Sequence, residues 1–219
     1  MDNWTSDIRV LVWDFDGTFF APNKDLFHEV REAEFQTIMD HTKWTKEKTM
    51  EEFEKLHKKV YVSATETMAV LSGITIAEAA QEMEEHFDRR NYVKRDERLI
   101  RLFESLHGFR HFILANGVMK RHKETLVVLG VLPSVFEEFV TSEVVGVTKP
   151  HEKGFQYILE KTGLPPQTHL MIGDREAVDL VPAKKLGMKT CLVWNSIPSI
   201  IADVTLPDVY SLEKFLHHT

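Results

Sequence analysis

The chain has 219 residues, 43% of them hydrophobic and 28% charged, with a formal net charge of −7. These proportions are ordinary for a globular protein and exclude wholesale disorder, which needs low hydrophobicity together with high net charge. The length allows one domain or one core with an insertion, and the acidic balance argues against DNA or RNA as a partner.

A small anionic substrate stays allowed, because one lysine and one metal ion reverse the field locally. The first residues, Met1-Asp2-Asn3-Trp4, show no basic n-region and no long apolar h-region. No stretch approaches the roughly 18 apolar residues of a membrane span. Cys191 is the single cysteine and lies in the apolar run Cys191-Leu192-Val193-Trp194, which reads as a buried, inert thiol. The expectation is a cytoplasmic protein with no membrane partner; its oligomeric state is not legible.

In chain order, Ile8 to Trp13 is the first apolar run of strand length, and it stops at Asp14. Continuous apolar character fits a parallel strand buried on both faces. Residues 24–95 are charged and helical with no convincing strand. Met50, Phe53, Leu56 and Val60 form one apolar stripe there, and Ile76, Ala80, Met83 and Phe87 form another after Thr75. Asp96 caps a helix carrying Leu99, Leu102, Phe103 and Leu106. A second strand, Phe112 to Ala115, stops at Asn116-Gly117, and a helix then runs toward Gly130. Phe139-Val140-Thr141 is a weaker strand. Phe155, Ile158 and Leu159 mark a helix ended by Gly163 and Pro165-Pro166. Leu170-Met171-Ile172 stops at Gly173-Asp174, a short helix ends at Gly187, and Thr190 to Trp194 is the last strand. Strand–helix alternation predicts a parallel α/β sheet, with an all-helical insertion after the first strand. The division expected is a core of residues 1–20 plus 96–219 and a helical domain of residues 21–95.

In an open parallel sheet, ligands bind beyond the carboxyl ends of the strands. Three predicted strand ends carry polar residues: Asp14-Phe15-Asp16-Gly17-Thr18, Asn116-Gly117, and Gly173-Asp174 with Asp179 following. Carboxylates gathered at one edge repel unless something positive sits among them, and hard oxygen ligands of this kind suit Mg²⁺. Lys149, before Pro150, is a candidate counter-charge. Taken singly, Asp14, Asp16 and Asn116-Gly117 read as turn residues, Lys149 as a surface lysine and Asp179 as the cap of the helix whose first turn holds Pro182. Their conjunction in order, each at a strand or loop end, favours a shared site.

These motifs resemble the haloacid dehalogenase superfamily. Asp14-Phe15-Asp16-Gly17-Thr18 is similar to its D-x-D-G-T, Thr148-Lys149-Pro150 to its lysine motif, and Gly173-Asp174 through Asp179 to its G-D-x₄-D. The resemblance covers residues 8–20 and about 97–195. It implies a Rossmann-like sheet with a helical C1 cap at residues 24–95. It implies Asp14 as nucleophile, Asp16 as general acid and base, and Lys149 as the neutralising cation. It implies Mg²⁺ held by Asp14, Asp16 through its carbonyl, Asp174 and Asp179, with Gly17, Thr18, Asn116, Gly117 and Lys149 around the phosphoryl group. An acid at Asp16 favours phosphate esters over halides.

One departure stands out. Where relatives carry Ser or Thr, this chain has Ala115, or, one residue along, Asn116. The activity expected is a Mg²⁺-dependent phosphatase acting on a small phosphorylated metabolite, of the nucleoside monophosphate or sugar phosphate class. The alternatives are a phosphomutase and a weakly active binding or regulatory protein. Phe19 and Phe20 read as hinge or core packing. Trp44, His57, Lys58, Lys59 and Tyr61 are the helical segment's candidates for touching substrate.

Overall fold

Six parallel strands form one sheet in the order β3-β2-β1-β4-β5-β6. They are β1 (Val10–Trp13), β2 (Arg110–Leu114), β3 (Glu138–Val140), β4 (His169–Gly173), β5 (Lys189–Leu192) and β6 (Val204–Thr205). The computed structural model describes residues 4–60 and 62–217. Tyr61 therefore lies outside the described residues. Central β1 pairs with β2 on one side and β4 on the other, with Trp13 opposite both Ile113 and Ile172. The strand order reverses between β1 and β4, so a crevice opens beyond their carboxyl ends.

The unbroken apolar character of β1 has a direct cause. Leu11 and Trp13 enter a core on one face of the sheet, while Val10 and Val12 enter a second core on the other. Each buried side chain of this size contributes roughly 1.5–3 kcal/mol. Helices cover both faces. After the insertion come α5 (Glu97–Ser105), α6 (Met119–Leu129), α7 (Ser142–Val145), α8 (Lys153–Thr162), α9 (Val181–Lys185) and α10 (Ser211–His217), following the inserted α1 (Lys24–Thr42), α2 (Lys46–Leu56), α3 (Ala64–Ser72) and α4 (Ile76–Met83). Asp96 accepts from the amides of Arg98 and Leu99 at the start of α5. No described helix is long and apolar enough to cross a membrane.

The four inserted helices share an apolar cluster of their own, built on Leu26, Ile38, Phe53, Met68 and Met83. A reciprocal Thr75–Glu78 capping box starts α4, and Ala80, Met83 and Phe87 are buried as its stripe requires. The other stripe is corrected. Only Phe53 is buried; Met50 and Val60 are exposed, because α2 ends at Leu56 and Val60 lies in the turn beyond. Phe19 is fully buried against Trp13, Phe103 and Phe136, and Phe20 bridges toward the inserted helices. Cys191 is buried and free, and burial pushes its thiol well above the usual range.

Candidate active site

Five of the predicted residues, Asp14, Thr18, Lys149, Asp174 and Asp179, converge beyond β1 and β4. Asp14 leaves β1 with its amide bonded to the Ile172 carbonyl, which anchors one motif to the other. Lys149 Nζ lies 2.5 Å from Asp14 Oδ1 and 2.6 Å from Asp179 Oδ1. The lysine side chain is 1% exposed and both carboxylates are buried. Thr18 Oγ1 donates to Asp14 Oδ2 at 3.4 Å. Ligand oxygens of Asp14, Asp174 and Asp179 all fall within 4.8 Å of one another.

The chain turns tightly to achieve this. Gly17 has φ of +80°, and a β-carbon there would stand 2.6 Å from Asp174 Oδ2. Only glycine combines that backbone with that approach. Asp179 corrects the expected cap. It lies inside a turn, Glu176–Leu180, where the Val181 amide reaches back five residues to the Glu176 carbonyl. The helix therefore opens before Asp179, whose Oδ2 accepts from the Arg175 amide at 3.1 Å. Pro182 does fall in the first turn of α9.

The electrostatics follow from crowding. Burial raises Asp14, but the charges of Lys149 and Arg175 and its hydrogen bonds to Lys149 and the Phe15 amide prevail and hold it lowered. Asp179 is raised by burial and by Asp14. Asp174 is pushed up to about 8 by burial and by both neighbouring carboxylates. Its Oδ1 is buried with no hydrogen-bond partner. Three hard oxygens, one of them without a hydrogen bond, fit a divalent cation such as Mg²⁺.

The second motif is tied through the Asn116 side chain to the loop of Lys149. Asn116 Nδ2 donates to the Lys149 carbonyl at 3.0 Å and its Oδ1 accepts from the Lys149 amide at 2.7 Å. It thus clamps the loop that presents Lys149. Ala115 packs in the apolar core below. Gly117 sits close under His122 and Glu84; an added β-carbon would lie 2.5 Å from His122 Cε1 and 3.0 Å from Glu84 Oε1.

The Asp16 carboxylate is not part of the cluster formed by Asp14, Asp174 and Asp179. Both its oxygens face Arg89, at 3.2 and 3.1 Å. Arg89 Nη1 meets both oxygens of Glu84 at 2.7 Å. Arg89, Glu84 and His122 were not evident from the sequence. Arg89 hides among Asp88 and Arg90, which read as solvated charge. Glu84 did leave a signal: it falls four residues after Ala80, just past the end of α4 and in line with its apolar face. Trp44 packs with the inserted helices and its ring lies 4.6 Å from Lys48 Nζ; His57 sits 4.9 Å from the Phe53 ring; Lys58 and Lys59 are exposed. None of these four is among the partners of the carboxylate cluster.

His122 stacks on Phe15 with ring centroids 4.3 Å apart and is 1% exposed. Burial, then the charges of Arg89 and Lys149, hold it well below the usual histidine range. The folded state therefore refuses a proton that the unfolded chain takes up below about pH 6.5. Its contribution to stability is present above that pH and is lost as pH falls toward the folded value. Between pH 7.5 and 5.5 the wild type should lose more stability than His122→Phe, measured by urea unfolding. Equal losses in the two proteins would refute the assignment.

Over 83 residues, 38% of its length, the chain is 37% identical to glyceraldehyde 3-phosphate phosphatase of Methanocaldococcus jannaschii, and the match spans 36% of that relative. It is 26% identical to phosphoglycolate phosphatase of Aquifex aeolicus across 95% of this chain and 97% of that one. A phosphatase crystal structure from Thermococcus onnurineus shares the fold, with a TM-score of 0.68 at 22% identity over 96% of this chain and 98% of that chain. The sequence profile described as haloacid dehalogenase-like hydrolase matches residues 11–193, from β1 through β5 and across every motif above. The chain belongs to the haloacid dehalogenase-like hydrolase family.

Proposed function

We propose that this protein is a Mg²⁺-dependent phosphatase of small phosphomonoesters, working through an aspartyl-phosphate on Asp14. The observation that carries the reading is the buried Asp14–Lys149–Asp179 cluster beside Asp174 at the sheet's switch point. Asp14 Oδ attacks phosphorus and the ester oxygen leaves. Asp16 gives the leaving oxygen a proton, then takes one from the water that hydrolyses the acyl phosphate. Lys149 fixes the attacking carboxylate and offsets charge on the phosphoryl oxygens. The Asp14 and Asp174 carboxylates and the Asp16 carbonyl would hold Mg²⁺, with Asp179 close by. The ion would screen nucleophile from phosphate.

Residues 21–95 act as the cap over a core of residues 1–20 plus 96–219. Gly17, Thr18, Asn116 and Gly117 shape the phosphoryl pocket, the last two through backbone amides. The relatives named as phosphatases of glyceraldehyde 3-phosphate and phosphoglycolate support a small sugar-phosphate-like monoester here, and an Escherichia coli relative named as a pyrimidine 5'-nucleotidase, 38% identical over 109 residues, supports a nucleoside monophosphate. The lack of a hydroxyl at Ala115 favours a second reading, a weakly active phosphate-binding protein. Phosphate release from a panel of phosphometabolites decides between them. Turnover of at least one compound that stops in excess chelator and returns with Mg²⁺ is the expected result. No turnover on any member, or turnover indifferent to chelator, refutes the enzyme reading.

A further inference from the structure

Asp16 is tied to the inserted helices rather than to the core. Its one ion-pair partner among the described residues is Arg89, which lies where the insertion returns toward α5. The contact is a fork: Nε meets Oδ1 and Nη2 meets Oδ2, so the plane of the carboxylate is set as well as its position. Arg89 cannot swivel freely, because Nη1 is held by both oxygens of Glu84, the residue just after α4. Arg89 is 3% exposed and Glu84 2%. Glu84 in turn lies against Gly117, where an added β-carbon would stand 3.0 Å from its Oε1. One chain of contacts therefore joins the first motif, the second motif and the insertion.

We propose that Arg89, braced by Glu84, is a positioning residue that aims the Asp16 carboxylate at the leaving oxygen and makes that aim depend on the seating of the insertion. The proposal rests on the acid–base role given to Asp16 above. A buried charged pair is a poor device for stability alone, since well-packed apolar side chains commonly do as well or better. What the charges provide here is direction. Each Asp16 oxygen keeps a second lone pair outside the fork. The proton passes between that lone pair and the ester oxygen as the P–O bond breaks, and Arg89 itself transfers nothing. A lysine supplies charge but no fork, so it cannot set the plane.

The test uses the full chain with Mg²⁺ and two substrates, an aryl phosphate with a good leaving group and glycerol phosphate with a poor one. Wild type, Asp16→Asn, Arg89→Met, Arg89→Lys and the double variant Asp16→Asn/Arg89→Met are compared by kcat and KM. General acid help is worth about 10²–10⁴-fold, and misplacing a group by an ångström costs about 10²-fold. Arg89→Met is expected to lose about 10- to 100-fold in kcat on glycerol phosphate and only a few-fold on the aryl ester, with KM little changed. Arg89→Lys should behave nearly as poorly, and the double variant should be no slower than Asp16→Asn on the alkyl ester.

Should Arg89→Met fail to fold, Glu84→Gln loosens the same brace while keeping a partner for Arg89, and it should show the same bias to a smaller degree. Equal losses on both esters, a raised KM with kcat kept, or additive losses in the double variant would overturn the proposal. If Asp16→Asn itself lacks the leaving-group bias, the acid role falls first. If Asp16→Asn has the bias and the Arg89 and Glu84 variants do not, the positioning role alone falls.

Discussion

Asp14→Asn is expected to abolish phosphate release from every ester the wild type cleaves, by on the order of 10⁴-fold or more. The carboxylate is 3% exposed and wedged between Lys149 and Thr18. An amide has no anionic oxygen to attack phosphorus, and it is a poor ligand for a hard cation. It is nearly the same shape, so the fold should survive. The cost should be about 1–3 kcal/mol for losing charge-assisted bonding to Lys149. Circular dichroism and a thermal melt check the fold, and a phosphate-release assay checks the loss. A folded variant that keeps a tenth of wild-type turnover would remove Asp14 from the nucleophile role.

Lys149→Met should cost both stability and rate. Lys149 is the cation bonded to the buried Asp14 and Asp179 carboxylates. Removing one partner of a buried ionic cluster typically costs about 3–5 kcal/mol. For a chain of this size that lowers Tm by roughly 6–20 °C. The lysine is itself held protonated, since Asp14 and Asp179 outweigh the opposing effect of burial. Without it, the carboxylates depend more heavily on a bound cation. Added Mg²⁺ should therefore raise the variant's Tm more than it raises the wild type's. Loss of a preorganised charge at the phosphoryl oxygens should slow kcat by about 10²–10³-fold. A variant with wild-type Tm and an unchanged response to Mg²⁺ would show that Lys149 does not hold the cluster together.

The central architecture was legible because its residues obey simple patterns. β1 is apolar throughout, and β2, β4 and β5 are apolar toward their carboxyl ends, since both sheet faces are covered there; β1, β2 and β4 then give way to Asp, Asn or Gly where the crevice begins. β6 escaped notice because it is two half-buried residues, Val204 and Thr205, too short to show a period. The five-residue turn around Asp179 was invisible, because carboxylate spacing says nothing of whether an amide reaches back four residues or five. Asn116 could be placed at a strand end, but its bonds to the Lys149 backbone join positions 33 residues apart. The Arg89–Glu84 brace was hidden for a different reason. A buried ion pair looks in sequence like two ordinary surface charges until the fold brings its third member, Asp16, from 73 residues away.

The most direct test of the proposed chemistry is to trap the enzyme in mid-reaction. Wild-type protein would be mixed with a turned-over phosphoester and Mg²⁺, quenched in acid within one turnover, and measured by intact mass and peptide mapping. The account predicts added mass of one phosphoryl group, labile to hydroxylamine, on the peptide holding Asp14, and none in Asp14→Asn or in excess chelator. Steady turnover with no adduct at any quench time, or an adduct on a different residue, would contradict it.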